Sequence, residues 1–242
     1  MSIKPKVAKP KDTTSWNPFV GCNFDCVYCE PSFKRLARLY GPKRKCTSCV
    51  AYAPHNHLEM LYRLSSDIVY RVERVISVVL TGDISFCDPA FVDQIINVMK
   101  NDKKEGRVFL MQSKDPAWFT NILHKLPENV VLMTTIETNR DSGYSRVSKA
   151  PLPSKRFQDF LGLAWPRKAM VMEPILQFDL NVILQWATLL KPEAFFIGLV
   201  TKGRKLNLQQ PTPADVQNLH NGLQNLGLNH YDKKIKKYRD VF

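Results

Sequence analysis

A chain of 242 residues, 44% of them hydrophobic, is long enough to close one α/β core and leaves little room for a second independent domain. No apolar run approaches the roughly 20 residues of a membrane-spanning helix, and the opening MSIKPKVAKPKD is basic and lacks the apolar stretch of a secretory leader. A soluble, cytoplasmic protein without membrane contact is therefore expected. Its formal net charge of +13 gathers in KPKVAKPK, in Lys34 to Lys45 and in KKIKKYR near the end, a distribution that suits a nucleic acid or nucleotide partner or simply a solvated basic surface.

Residues 1–12 read as a basic N-terminal arm, 13–230 as one domain and 231–242 as a basic C-terminal arm. A short strand near TTSWNPFV leads into GCNFDCVYC, where Cys22, Cys26 and Cys29 offer three thiolates to one centre. A 4Fe-4S cluster normally takes one thiolate per iron, so a cluster held by three keeps an iron open for chemistry. The same residues also admit a zinc knuckle completed by a distant histidine, or buried free thiols, although zinc ligands usually come in pairs.

Residues 33–60 form an insertion after this loop. It begins with Lys34, Arg35, Arg38, Lys43, Arg44 and Lys45 and continues as CTSCVAYAPHNH. Cys46, Cys49, His55 and His57 have the ligand types of a closed zinc site. Pro54 disfavours a helix there, and two histidines at i, i+2 converge only on an extended or turned chain. A structural zinc, incomplete auxiliary iron–sulfur ligation and substrate contact by the histidines are the readings that pattern leaves open.

Beyond the insertion, strand-length apolar runs alternate with amphipathic stretches of helical length, the pattern of repeated β/α units on a parallel sheet. Strands are expected at 75–83, 108–113, 130–137, 170–176 and 195–200, about six with the N-terminal one. Helices are expected from Pro89, over AWFTNILHKL, around RFQDFLGLA and in DLNVILQWATLL. The fold class is α/β, a partial (β/α)6 TIM-like barrel whose active-site groups gather at the carboxyl ends of its strands.

The spacing C-x3-C-x2-C, with Tyr28 directly before the last cysteine, closely resembles the signature of the radical S-adenosylmethionine (SAM) superfamily. SWNPFVGCNFDCVYC followed by a short barrel is similar to small uncharacterised radical SAM proteins, phage-associated ones among them. The resemblance implies a partial barrel, a 4Fe-4S cluster on Cys22, Cys26 and Cys29, and SAM bound through its amino and carboxylate groups. It further implies an electron donor such as flavodoxin or ferredoxin, reductive cleavage of SAM to a 5′-deoxyadenosyl radical, and hydrogen abstraction from a substrate that the basic charge suggests is phosphate-bearing.

By the same resemblance, Gly82 and Asp83 occupy the place of a GGE-like motif, here reduced to GD; glycine admits close approach and a carboxylate pairs with an ammonium. Ser85 follows in the same loop. Tyr28, Lys114, Glu137 and Glu173 complete the cofactor-binding candidates, with Glu137 facing a ribose diol, Lys114 or Arg140 facing a carboxylate, and Glu173 too costly to bury without a partner. Cys87 is either a hydrogen-atom donor to a substrate radical or an inert buried thiol. The alternative from another class is a zinc-stabilised nucleic-acid-binding protein in which both cysteine groups hold zinc.

Overall fold

The structure, a computed structural model, describes residues 13–66, 74–200 and 207–232. The arm at 1–12 and residues 233–242 of the C-terminal arm lie outside them. Seven parallel strands form one sheet: β1 (Thr13–Trp16), β4 (Val75–Val78), β5 (Val108–Gln112), β6 (Val130–Thr135), β7 (Lys168–Met172), β8 (Ala194–Ile197) and β9 (His230–Asp232), side by side in that order. Two short strands, β2 (Phe19–Val20) and β3 (His55–Asn56), pair antiparallel beside it.

Period-two alternation divides the apolar side chains of the sheet between two layers. Phe109, Met111, Val130, Leu132, Met170, Met172, Phe195 and Ile197 face the helices in the main core. Their neighbours Val108, Leu110, Val131, Met133, Ala169, Val171 and Ala194 fill the concave side. Burial on both faces explains why these strands read as continuous apolar runs.

The helix Pro89–Lys100 shows how the crossovers are specified. Asp88 accepts hydrogen bonds from the backbone N–H groups of Ala90 and Phe91, Pro89 sits where its missing N–H is harmless, and Phe91, Val92, Ile95, Ile96 and Met99 form the buried stripe. Pro153–Gly162 and Leu180–Leu190 are helices as expected. Among the described residues no helix is long and apolar enough to cross a membrane.

Three elements differ from the sequence reading. AWFTNILHKL forms 3₁₀ turns, Pro116–Asn121 and Leu123–Lys125, not an α-helix; its buried residues Pro116, Phe119 and Ile122 recur every third position, the spacing that stacks side chains on one edge of a 3₁₀ helix. The helix Pro213–Asn225 has no counterpart among the expected elements, although Thr212 and Asp215 form a capping box at its start. A seventh strand, β9, pairs with β8 and takes in the first residues assigned to the C-terminal arm.

The insertion folds back onto the segment that precedes the cysteine loop. Helices Arg35–Tyr40 and Thr47–Ala51 lead to β3, where His55 pairs with Val20 and Asn56 with Phe19. Part of its charge is answered locally, by Asp25 against Lys34 and Glu30 against Arg38, both 2.6 Å.

Candidate active site

The loop bearing Cys22, Cys26 and Cys29 leaves the barrel at Gly21, which bridges in parallel to Gly82 just beyond β4. Gly21 N–H donates to Thr81 O at 3.2 Å, and Asp83 N–H donates to Gly21 O at 3.1 Å. Gly21 has φ +97°, and a Cβ there would lie 2.2 Å from Ala53 O; a Cβ on Gly82 would lie 2.8 Å from Gly21 O. Glycine at both positions therefore lets three chain segments meet backbone to backbone. On its far side the loop is held by Val27 N–H to Val147 O, 2.9 Å, and Lys149 N–H to Phe24 O, 2.7 Å.

All three cysteines face one cavity of about 260 Å³ at the carboxyl ends of the strands, close to the lower bound for small-molecule sites. Tyr28, Gly82, Asp83, Lys114 and Glu173 line it with them. Below these polar groups lie Leu110, Met133, Val171 and Phe196 from the concave face, so the cavity has an apolar floor and a charged rim. Burial pushes the Cys22 thiol up to about 12. A hydrogen bond from Cys29 holds Cys26 at about 6, helped by the Lys114 ammonium 3.2 Å away and opposed by burial.

Glu137, at the end of β6, is fully buried and surrounded by donors. Arg156 Nη2 reaches Oε2 at 2.8 Å and Tyr144 Oη reaches it at 3.0 Å. Tyr28 Oη and Lys114 Nζ both donate to Oε1. Burial opposes its charge, but Arg156 and Lys114 hold its carboxyl at about 2. The same contact keeps Lys114 well above the ordinary lysine value despite burial, and its ammonium lies 4.4 Å from the centre of the Tyr28 ring.

Both oxygens of Glu137 are engaged by protein donors, and it is not among the residues that line the cavity. Its contacts hold Lys114 and Tyr28. Arg156 was missed by the sequence reading, and its signal lies in the helix pattern: with Pro153, Phe157 and Phe160 it occupies the buried face, where an arginine requires a buried partner.

Asp83 N-caps a short 3₁₀ turn and is 5% exposed. Its Oδ1 accepts from Ser85 N–H at 3.1 Å, Ser85 Oγ at 2.8 Å and Ser113 Oγ at 2.7 Å, while Oδ2 accepts from Lys114 N–H at 2.8 Å. Burial raises its pKa and these donors oppose the rise. Ser85 thus serves Asp83 and is not itself a lining residue. Glu173 enters the cavity beside Gly198, whose missing side chain leaves the space it fills; a Cβ there would lie 2.6 Å from Glu173 Cγ.

Cys87 lies in the main core, 5% exposed, and does not line the cavity. Its Sγ is directed to Asn56 Oδ1 at 3.9 Å, and burial pushes its thiol up to about 12. Of its two expected roles, hydrogen-atom donor or inert buried thiol, this position favours the second. Arg140 is an exposed partner of Asp179 at 2.6 Å, not a cavity residue. Cys46, Cys49, His55 and His57 come together in the insertion, outside the cavity.

No family model and no curated protein matches the chain. Solved structures do. A cysteine variant of spore photoproduct lyase with a dinucleoside spore photoproduct superposes with a TM-score of 0.65 at 11% identity, covering 93% of this chain and 77% of that one. A variant of the same lyase with bound AdoMet (SAM) and the dinucleoside photoproduct gives 0.60 at 9% identity, covering 90% and 75%. Both are radical SAM enzymes. In fold, this chain is similar to these radical SAM enzymes. Streptococcus suis SuiB bound to precursor peptide SuiA, another radical SAM enzyme, gives 0.56 at 11% identity, covering 95% of this chain and 51% of that one.

The cavity fits the groups that the resemblance to radical SAM enzymes implies. Its lining holds three cysteines and neither a fourth nor a histidine, the donor set of a cluster with one open iron. Beside them stand two carboxylates, Asp83 and Glu173, and one ammonium, Lys114, charges of both signs for the zwitterionic end of an amino acid.

Proposed function

We propose that this protein is a radical SAM enzyme. The observation that carries the reading is the convergence of Cys22, Cys26 and Cys29 with Asp83, Glu173 and Lys114 on one cavity at the carboxyl ends of parallel strands. When bound, a 4Fe-4S cluster and SAM supply a 5′-deoxyadenosyl radical by one-electron reductive cleavage. The protein's own residues orient and insulate.

Cys22, Cys26 and Cys29 hold the cluster and leave one iron open. Asp83 and Glu173 attract the ammonium of the methionine moiety, and Lys114, kept cationic by Glu137, attracts its carboxylate. Fixed by Glu137, which Arg156 holds in turn, Lys114 also faces Cys26 Sγ at 3.2 Å and offsets thiolate charge there. The apolar floor of Leu110, Met133, Val171 and Phe196 limits the water and weak hydrogen donors that would quench a carbon radical.

The substrate we propose is a nucleotide or nucleic acid. Two observations support it: the net charge of +13, with Arg35, Lys43 and Lys45 exposed on the insertion, and the dinucleoside carried by the structurally similar lyase. SuiB, bound to a precursor peptide, marks the peptide class as the competing substrate. The required electron comes from an external donor such as flavodoxin or ferredoxin. No observation favours the alternative in which the first cysteine group holds zinc.

Anaerobic reconstitution followed by an assay for 5′-deoxyadenosine under reduction tests the reading. Formation of the nucleoside in the wild type and its loss in Cys26→Ala is the expected result; reconstituted, reduced protein that leaves SAM intact would count against it.

A further inference from the structure

The insertion carries a second convergent group that the cavity does not use. Cys46 Sγ, Cys49 Sγ, His55 Nε2 and His57 Nε2 all lie within 4.8 Å of one another. The sulfur-to-nitrogen distances run from 3.1 to 4.0 Å, and the two nitrogens are 2.8 Å apart. Zinc bonds of about 2.3 Å to sulfur and 2.0–2.1 Å to nitrogen give tetrahedral edges of about 3.3–3.8 Å; the four sulfur-to-nitrogen edges lie around this range, while the bonded sulfurs and the paired nitrogens are closer and would move apart to admit the ion.

The other side of each imidazole fixes its chemistry. His55 Nδ1 lies 2.7 Å from Ala53 O, and His57 Nδ1 lies 2.8 Å from Glu59 Oε1. A carbonyl and a carboxylate only accept, so each Nδ1 carries a proton, and in the neutral ring that binds a metal each Nε2 presents a lone pair. Two lone pairs facing one another at 2.8 Å beside two sulfurs repel unless a cation lies between them. Cys49 N–H also donates to Cys46 Sγ at 3.1 Å, a contact that favours thiolate. Cys49 and His57 are 6% and 7% exposed, which suits a closed structural centre rather than an open catalytic one.

We propose that Cys46, Cys49, His55 and His57 bind one zinc ion, and that this ion clamps the insertion against the segment entering the cysteine loop. His55 pairs with Val20 across β2 and β3. Ala53 O lies against Gly21, and Cys22 N–H donates to Tyr52 O at 3.4 Å. Tyr52 itself lines the cavity. A metal at the histidines therefore fixes one wall of the catalytic cavity and the backbone of Cys22 without touching either. The structure joins Cys46 and Cys49 as a disulfide, the oxidised form of the same pair; zinc takes the dithiolate, so the two states are mutually exclusive. A disulfide alone leaves the paired histidine orientation without a reason. The proposal holds whether or not the cavity carries an iron–sulfur cluster.

The test is metal analysis and zinc-edge X-ray absorption on full-length protein isolated anaerobically with a reductant and given one equivalent of zinc. The expected result is about one zinc per chain with two sulfur and two nitrogen ligands. Zinc should be retained in Cys26→Ala, which removes only a cavity cysteine, and lost in Cys46→Ser and His57→Ala. If those variants fail to fold, chelation of the wild type decides: zinc removal should increase amide exchange at residues 19–22 and 46–57. Reduced, folded protein that takes up no zinc, a sulfur-free zinc site, or an intact Cys46–Cys49 disulfide in the anaerobic protein would overturn the proposal.

Discussion

Gly82 lies against Gly21 with no space for a side chain between them: a Cβ on Gly82 would stand 2.8 Å from Gly21 O and 3.0 Å from Gly21 N. Gly82, expected to let the cofactor approach closely, lines the cavity and also admits the root of the cysteine loop. Gly82→Ala should destabilise the fold by about 1–3 kcal/mol, as overpacking does, and lower iron incorporation by displacing Cys22. Thermal unfolding and iron analysis check this, with Gly162→Ala as control, since a Cβ there meets nothing within 4 Å. Equal iron content in both variants would refute the link.

Glu137 is predicted to be a keystone of stability. Glu137→Gln leaves Lys114 and Arg156 buried without their counter-charge, a loss of about 3–5 kcal/mol. Its folded pKa of about 2 lies below the ordinary 4.5, so the carboxylate's contribution is complete above 4.5 and is lost as pH falls toward 2. Melting temperatures from pH 2 to 6 should show a steep acid-side decline in the wild type and a shallower one, from a lower plateau, in the variant. Parallel curves would contradict the assignment.

Glu173→Gln removes a cavity carboxylate and leaves its shape. Cluster content should be unchanged, while SAM affinity should fall about tenfold or more, the effect of losing one charge-assisted hydrogen bond. Equilibrium binding of SAM to the reconstituted variant measures it, and unaltered affinity would remove Glu173 from the proposed SAM contacts.

Cys87→Ala tests the packing role now given to that thiol. Deoxyadenosine formation should match the wild type, with a stability loss of about 1 kcal/mol from the small cavity left behind. Wild-type stability with abolished turnover would restore a chemical role.

The parts of this site that the sequence exposes are those fixed by local spacing. Three cysteines within eight residues announce a shared centre wherever they fold, and apolar runs bounded by Pro89 or by Gly82 and Asp83 announce the β/α rhythm. The support of Lys114 is different in kind. Glu137, Tyr144 and Arg156 meet only because β6, the turn after Gly143 and the helix Pro153–Gly162 pack together, and no single window of sequence contains that contact. Cys87 shows the converse: it is near Gly82 and Asp83 in sequence, but the turn Ile84–Phe86 carries it into the core. The segment after Pro116 reads as a helix because its period-three burial is close to the period of 3.6 over so short a run.

The most direct test of the central claim is low-temperature EPR of the anaerobically reconstituted, reduced protein with and without SAM. A 4Fe-4S signal that shifts on SAM addition, and is absent in Cys26→Ala, is the predicted result. A protein that binds no iron at Cys22, Cys26 and Cys29, or a cluster whose signal is indifferent to SAM, would contradict it.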